Sequence, residues 1–253
     1  MTDTIANDSF SRRGTTSRRA VLGGLAAASA VLTLTSAAHA KSGRTLGRRA
    51  RPAVAPALKF ADIPGTGDIK VLNYALALED LEADLYQQAI ARLTTGGTNA
   101  LGVQIKGIGL GGEHPDVRFA KEFGKVEIEH RDFLRAAIAA AGGPVIPMFK
   151  YDFNMQNLSR RQVGDLLYTA EQTGVGAYLG AIPFFSSDDS PYVPIAAAIL
   201  GTEARHTAVI AASLNVLYNR TIPVAPPANQ NAGRDVPVPP DTVLAAVSPF
   251  IVV

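Results

Sequence analysis

The sequence predicts an all-α protein whose main domain is a four-helix bundle. Four stretches of the chain repeat apolar residues at helical spacing, and glycine, proline or capping residues bound each of them. The chain contains no cysteine, which excludes disulfides, zinc–thiolate sites and iron–sulfur clusters. We therefore expect one bundle at residues 66–218, preceded by an export signal and a linker and followed by an extended proline-rich tail at 219–253.

Residues 1–40 are predicted to be an export signal. Ser17, Arg18 and Arg19 precede an apolar run, and Ala-His-Ala at 38–40 offers a small-residue cleavage site. Paired arginines in this place are typical of a twin-arginine signal, a route that carries folded proteins. We expect an exported protein, periplasmic or extracellular, with no stable membrane span after cleavage. The alternative is a retained membrane anchor, although the glycines and alanines of the run make it only weakly apolar.

Residues 41–65 are predicted to be a basic linker rich in glycine and proline. Its first part, to Lys59, has six positive and no negative charges, which favours a solvated flexible segment over a binding arm. The chain from Ala61 onward has 14 basic and 20 acidic residues. Because the folded part is acidic, nothing in the sequence indicates binding to nucleic acid.

The first two helices are predicted as antiparallel neighbours. The first has Asp68 as its expected N-cap and runs to about Leu93, where a Thr-Thr-Gly-Gly sequence follows. The second begins near Pro115 and ends at the Gly-Gly-Pro sequence at 142–144. The glycine-rich segment at 94–114 shows no clear period, so we expect a long loop there.

The last two helices are predicted to follow a crossover connection. Ser159 and Gln162 have the spacing of a capping box at the start of the third helix, which stops by Pro183. The fourth helix follows Ser190-Pro191 and ends near Tyr218. Residues 144–159 could extend about 50 Å, which is long enough to run along the bundle. The seven prolines of the tail predict an extended segment with a short helical turn at 242–247.

The motif Glu-x-x-His occurs twice, as Glu127 with His130 on the second helix and Glu203 with His206 on the fourth. A spacing of three residues stacks both side chains on one face, one turn apart, where both can bind one metal ion. Each motif lies in an apolar stripe and therefore faces the core. A buried carboxylate and imidazole are costly unless they are paired or bind a cation, so both motifs indicate metal ligands.

The other two helices each offer a core-facing carboxylate. Glu171 is in the middle of the third helix, and Glu79 and Glu82 lie on two neighbouring apolar stripes of the first. One glutamate from each of two helices and Glu-x-x-His from each of the others is the ligand set of a di-metal carboxylate bundle. Oxygen and imidazole ligands suit iron or manganese, which predicts two divalent metal ions, Fe or Mn.

These features resemble the ferritin-like superfamily, and most of all the exported ferritin-like domain family that includes desiccation-related proteins. The narrower resemblance rests on the twin-arginine signal, on Leu-Asn-Tyr-Ala-Leu-Ala-Leu-Glu-Asp-Leu-Glu-Ala at 72–83 and on Val-Glu-Ile-Glu-His-Arg-Asp-Phe-Leu at 126–134. It covers about Ile69 to Tyr218. The long glycine-rich loop and the proline-rich tail depart from ferritin itself and argue against a storage cage.

The resemblance also favours Glu79 over Glu82, because Tyr86 follows Glu79 by seven residues, as in the first helix of ferritins and bacterioferritins. Tyr86 and Tyr178 are expected to be core aromatics, with a hydrogen bond to a metal ligand as the alternative. The predicted metal ligands are Glu79, Glu127, His130, Glu171, Glu203 and His206.

This ligand set predicts a di-metal redox protein that handles dioxygen, peroxide or Fe(II) in stress or desiccation protection. Its activity would be that of a ferroxidase, a peroxidase or a catalase-like enzyme. The alternatives are metal sequestration without turnover, a structural bundle that protects other proteins during drying, and a metal-free scaffold. The sequence does not distinguish iron from manganese, and it does not distinguish a monomer from a homo-oligomer.

Overall fold

The computed structural model describes residues 57–252, so the predicted signal and most of the predicted linker lie outside the described residues. Four long helices form the bundle: α1 (Gly67–Leu93), α2 (Pro115–Ala140), α3 (Arg160–Ala181) and α4 (Tyr192–Tyr218). Helix α1 packs mainly on α2, and α3 on α4; contacts of α1 with α3 and of α2 with α4 join the two pairs. The predicted all-α bundle is confirmed.

Helix α1 is the most enclosed of the four, because the other helices and the connections surround it. Nearly every residue from Val71 to Ala83 is buried, including polar ones. Its N-cap is Thr66, so the expectation of Asp68 at this position was wrong. The Asp68 carboxylate instead accepts hydrogen bonds from Ser186 N at 2.7 Å and Ser190 Oγ at 2.9 Å, which ties the start of α1 to the α3–α4 connection.

The other helix ends follow the local chemistry of the sequence. Pro115 occupies the first turn of α2, where its missing N–H costs nothing. The Ser159–Gln162 capping box is present at the start of α3, with Ser159 N donating to Gln162 Oε1 at 2.9 Å. Helix α4 ends at Asn219, whose left-handed backbone (φ +49°) stops the helix.

The α1–α2 connection is more regular than expected. It contains an antiparallel hairpin of β1 (Gly96–Thr98) and β2 (Gln104–Lys106), with Gly97 opposite Ile105. Asn99 Oδ1 accepts hydrogen bonds from Leu101 N and Val103 N and so closes the turn. Strands of three residues are too short to show an alternating pattern, which is why the sequence indicated only a loop.

The α2–α3 connection is held against α1 by a buried aspartate. Asp80 Oδ2 accepts hydrogen bonds from Tyr151 OH at 3.0 Å and Phe149 N at 3.3 Å. Here the chain forms β3 (Lys150–Tyr151), which pairs antiparallel with β4 (Ile251–Val252) of the tail. The tail thus returns to the crossover segment and packs beside the bundle.

The tail and the residues before α1 also pack together. Helix α5 (Pro240–Val247) includes the predicted turn and contacts α3. Phe60 N donates to Asp241 Oδ1 at 2.7 Å, Leu58 N donates to Ser248 Oγ at 2.9 Å, and Ile63 is buried. The flexible linker predicted to reach residue 65 therefore ends earlier, because these apolar side chains join the core. None of the helices within residues 57–252 combines the length and apolarity needed to cross a bilayer.

Candidate metal centre

The two Glu-x-x-His motifs point into the bundle from opposite helix pairs. Glu127 and Glu203 are completely buried on α2 and α4, and His206 is 4% exposed. The His130 side chain is 14% exposed and so lies at the edge of the same interior. Buried carboxylates among apolar side chains need hydrogen-bond or charge partners.

His130 is surrounded by three carboxylates from three helices. Its Nδ1 lies 3.0 Å from Glu127 Oε2, 3.3 Å from Glu79 Oε2 and 3.7 Å from Glu203 Oε1. One ligand atom from each of these four residues lies within 4.8 Å of all the others. This first group joins α1, α2 and α4 and could hold one metal ion.

His206 is the centre of a second group. Its Nδ1 lies 2.8 Å from Glu127 Oε1 and 3.3 Å from Glu171 Oε1, and Phe123 stacks on the imidazole with ring centroids 3.9 Å apart. Glu127, Glu171 and His206 could hold a metal ion together. Glu127 belongs to both groups and directs one carboxylate oxygen toward each histidine, so it could be a ligand to both ions.

Two tyrosines fix the single glutamates of α1 and α3 by a crossed pair of hydrogen bonds. Tyr86 OH on α1 donates to Glu171 Oε1 on α3, and Tyr178 OH on α3 donates to Glu79 Oε1 on α1. All four side chains are buried. Each tyrosine thus orients the glutamate of the other helix. This agrees with the alternative given for Tyr86 and Tyr178 in the sequence analysis, a hydrogen bond to a predicted metal ligand.

Burial and close contact shift the pKa values of the carboxyl and imidazole groups throughout the cluster. Burial raises the pKa of Glu79 to about 7, and burial with neighbouring carboxylates also raises the pKa of Glu203 and Glu171. Burial alone would lower the pKa of the histidines. The surrounding carboxylates outweigh it and raise the pKa of His130 to about 10 and that of His206 to about 9.

Glu127 is the exception among the carboxylates. Burial acts to raise its pKa, but the two histidines on either side prevail and lower it. Glu127 and the two histidines thus favour one another's charged forms.

The hydrogen-bonding of the cluster tests whether a metal pair fits. Several of its buried atoms have no hydrogen-bond partner within residues 57–252: Glu79 Oε2, Glu127 Oε1, Glu171 Oε2, both carboxylate oxygens of Glu203, and His206 Nδ1. His206 Nδ1 and Glu127 Oε1 are 2.8 Å apart but are not aligned for a hydrogen bond. Unpartnered buried acceptors are costly, and cations held by the two groups would give partners to the oxygens that face them.

The donor set also fits the charge of two divalent ions. Four carboxylates offset two such ions, and the two imidazoles complete the ligand count. The structure brings all six predicted ligands together; their binding of metal remains a prediction. Oxygen donors with imidazole suit Fe or Mn.

Glu82, the alternative ligand of the first helix, is also buried but belongs to neither group. Its Oε1 and Glu203 Oε2 both approach Gly174 on α3. Gly174 lies on the same helical face as Glu171 and Tyr178, but the pattern alone does not predict its contribution to the site, which is the absence of a side chain. The only available signal was a glycine in the middle of a buried helix, where it costs about 1 kcal/mol relative to alanine.

Comparison with known proteins agrees with this architecture. The family model described as "Ferritin-like domain" matches residues 67–216, which span all four long helices. No curated protein matches the chain. The predicted resemblance to the ferritin-like superfamily is confirmed; the narrower resemblance to the desiccation-related family remains a prediction.

Proposed function

Because the chain belongs to the ferritin-like domain family and gathers six carboxylate and imidazole side chains inside its bundle, we propose that it is a di-metal carboxylate protein acting on dioxygen, peroxide or Fe(II). The observation that carries the proposal is the position of Glu127, which faces both histidines and is shared by both candidate metal groups. The proposed ions are iron or manganese.

The six ligands divide unevenly between the two proposed ions. Glu79, His130 and Glu203 hold one ion, Glu171 and His206 hold the other, and Glu127 is shared. When bound, such a pair supplies two-electron redox chemistry to a small oxygen species. Tyr86 and Tyr178 keep the two single glutamates in place, and Phe123 covers the His206 ring.

The cavities beside the centre favour a very small substrate. One cavity, of about 40 Å³, is bordered by Tyr86 and Phe123 at the centre and reaches Arg160 and Tyr218. A cavity of 10–15 Å³ by this measure already holds a water molecule. The space therefore admits dioxygen, hydrogen peroxide or a single ion, whereas an organic substrate would require the helices to separate.

The proposed place of action is an exported compartment. This part rests on the twin-arginine-type N-terminal sequence and includes protection against oxidants or drying. The second candidate function is metal sequestration without turnover, and the near-complete burial of the ligands favours it. Both functions require the same metal pair and differ only in whether a substrate reacts.

Metal content and turnover test the proposal together. We expect the purified chain, loaded with Fe(II) or Mn(II) and washed, to retain two ions by elemental analysis. Stopped-flow assays are expected to show peroxide consumption or Fe(II) oxidation. Glu127→Ala should remove both properties, and His206→Ala should remove turnover and about one of the two ions. Glu129→Ala, an exposed change on the same helix as Glu127, should preserve both properties.

Unchanged metal content and peroxide consumption in Glu127→Ala and His206→Ala would show that the centre lies elsewhere. A retained metal pair with no turnover would favour sequestration.

A further inference from the structure

The cavity of about 40 Å³ extends from the candidate metal centre toward one end of the bundle. Its inner end is bordered by Tyr86, the hydrogen-bond donor of Glu171, and by Phe123. Phe123 stacks on the His206 imidazole. Tyr86 is fully buried, whereas Leu217 at the outer end is 39% exposed. The cavity, called the passage below, therefore connects exposed side chains with the second metal group.

Helix spacing explains why the passage follows the bundle axis. On α2 its border runs from Phe123 back to Asp116, seven residues or about 10 Å along the helix. On α4 the border includes Ile210, Ser213 and Leu217, at steps of four residues or fewer on the stripe that carries the histidine ligand of that helix. The wall of the passage is thus built from the core-facing stripes that continue beyond the ligands.

The wall of the passage is mostly apolar. Asp116, Arg160 and Tyr218 border its outer end and form what we call the mouth. Between the mouth and Tyr86, Ser213 is the one polar side chain on the border within residues 57–252. A charged species would lose its hydration here and gain few partners, which is costly, whereas an uncharged diatomic molecule loses little. The lining therefore favours uncharged molecules.

The mouth also opposes the entry of cations. Arg160 Nε donates to Asp116 Oδ2 at 2.6 Å, so the carboxylate of the mouth is already paired. The Arg160 guanidinium lies 5.9 Å from the centroid of the Tyr218 ring, and its buried Nη2 has no hydrogen-bond partner among the described residues. A divalent cation at this point meets a positive charge and a carboxylate that is already engaged.

A second cavity, at the opposite end of the bundle, is much smaller. It borders Tyr178, the other tyrosine of the crossed pair, and its volume is about 10 Å³. This is about the space of one water molecule. Of the two tyrosines that orient predicted ligands, Tyr86 thus lies beside the larger space, and the two metal groups differ in the room beside them.

From these observations we propose that the passage is the route by which an uncharged oxidant reaches the centre from the His206 side, and that Arg160 keeps metal ions out of it. The proposal rests on the proposed metal function and deepens it, because it separates the entrance of the oxidant from that of the ions. Dioxygen fits both the volume and the apolar wall. A large side chain at Ser213, between the mouth and the centre, would close the route.

Xenon binding tests the passage in the metal-free, full-length chain. Xenon is an uncharged apolar gas that enters cavities lined by apolar side chains. We expect ¹²⁹Xe nuclear magnetic resonance to show binding to the wild type, with polarisation transfer to the Phe123 ring protons identifying the site. Ser213→Ala, the matched control that removes only the hydroxyl, should preserve this binding. Ser213→Phe should abolish it, and the smaller Ser213→Leu should weaken it, each with normal helical circular dichroism.

Dioxygen reaction and metal uptake test the two entrances separately. The chain is loaded with Fe(II) without oxygen and mixed with dissolved dioxygen in a stopped-flow instrument. We expect Ser213→Phe to slow Fe(II) oxidation at least about tenfold, because a close-packed wall leaves no path, and Ser213→Ala to react like the wild type. The rate of Mn(II) uptake by the metal-free chain should be unchanged in both. Arg160→Met, which leaves Asp116 unpaired at the mouth, should speed Mn(II) uptake.

The remaining outcomes separate this proposal from the proposed function. A wild-type rate of dioxygen reaction in Ser213→Phe would overturn the route and leave the metal pair intact. Equal slowing of dioxygen reaction and Mn(II) uptake would show one shared entrance and overturn the separation. An unchanged Mn(II) uptake rate in Arg160→Met would overturn the role of Arg160. A wild-type chain that retains neither Fe(II) nor Mn(II) would overturn the proposed function, and the route to a metal centre with it.

Discussion

The α1–α2 pair and the α3–α4 pair carry the same pattern of site residues at the same spacing. In each pair the first helix has a glutamate followed seven residues later by a tyrosine, and the second helix has Glu-x-x-His. The corresponding residues are Glu79 and Glu171, Tyr86 and Tyr178, Glu127 and Glu203, His130 and His206. The contacts correspond as well, because the tyrosine of each pair donates a hydrogen bond to the single glutamate of the other pair.

The pairs differ in the residues around the shared pattern. Three residues after the single glutamate, α1 has Glu82 and α3 has Gly174. Glu82 Oε1 and Glu203 Oε2 both lie close to the gap at Gly174, which is the space that this residue leaves by having no side chain. Glu127 faces both histidines, whereas Glu203 belongs to only one group. The ligand positions are alike because both ions need the same donors. The unlike positions concern which ligand is shared and which side chains lie beside Gly174.

The largest expected effect tests the unequal roles of Glu127 and Glu203. Glu127→Ala removes a ligand from both groups and should leave almost no bound metal. Glu203→Ala removes a ligand from the first group only and should leave about one ion, bound near His206. Elemental analysis after dialysis measures both. Equal losses in the two variants would show that the halves are equivalent once metal is bound.

The second effect tests the gap at Gly174. Gly174→Ala places a methyl group 2.7 Å from Glu203 Oε2, so we expect metal affinity to fall about 10–100-fold, as for other changes that displace a ligand. Calorimetric titration measures this. The matched control is Gly201→Ala on α4, where the nearest atom outside the helix backbone is Arg205 Nη1 at 3.9 Å.

Gly201→Ala should leave affinity unchanged and raise the free energy of unfolding by about 0.5–1 kcal/mol, the usual gain for alanine in a helix. If Gly174→Ala behaved like this control, Glu203 would have room to move and the gap would have no role.

The third effect tests whether the two tyrosines are equivalent. Tyr86→Phe and Tyr178→Phe each remove the hydrogen bond that orients a buried carboxylate, at a cost of about 1–3 kcal/mol in the unfolding free energy of the metal-free protein. Each substitution should weaken the binding of the ion whose glutamate ligand that tyrosine orients. Urea denaturation and metal titration of the single and double variants measure both effects. Additive losses of similar size would support two equivalent halves, and a loss confined to one tyrosine would contradict them.

Much of this architecture could be predicted from the sequence because helix geometry is local. A spacing of three residues places Glu127 and His130 on one face of α2 whatever the rest of the chain does. Apolar stripes then direct that face inward, so the six candidate ligands could be named together. The Ser159–Gln162 capping box is equally local, and its prediction was confirmed.

The features that the sequence did not predict depend on contacts between distant residues. Tyr151 of β3 pairs with Ile251 of β4, one hundred residues later, and strands of two residues have no pattern of their own. Asp68 bonds to Ser186 and Ser190 instead of capping its own helix. The approach of Glu82 to Gly174 depends on the rotation of α1 against α3, which spacing within one helix does not fix.

The last expected effect is a pH dependence that separates the two histidines. Glu79 and both histidines have a higher pKa in the folded, metal-free protein than in the unfolded chain, so the folded state binds protons more tightly. The free energy of unfolding should therefore fall as pH rises. Glu79 contributes between about pH 4.5 and 7, and the histidines contribute from about pH 6.5 up to about 9 for His206 and about 10 for His130. Glu127, whose pKa is lowered, acts in the opposite direction at acidic pH.

Melting temperatures of the metal-free protein at pH 5 to 9 measure this dependence, and each kcal/mol corresponds to about 2–4 °C for a chain of this size. With Mn(II) present the trend should reverse, because metal binding needs deprotonated ligands and strengthens as pH rises. The variants His130→Gln and His206→Gln should each flatten the metal-free decline, the first over a wider range because its pKa is raised further. A metal-free melting temperature that rises steadily from pH 5 to 9 would mean that the carboxylates of the two halves are not held by protons, and would contradict the close grouping of both histidines with them.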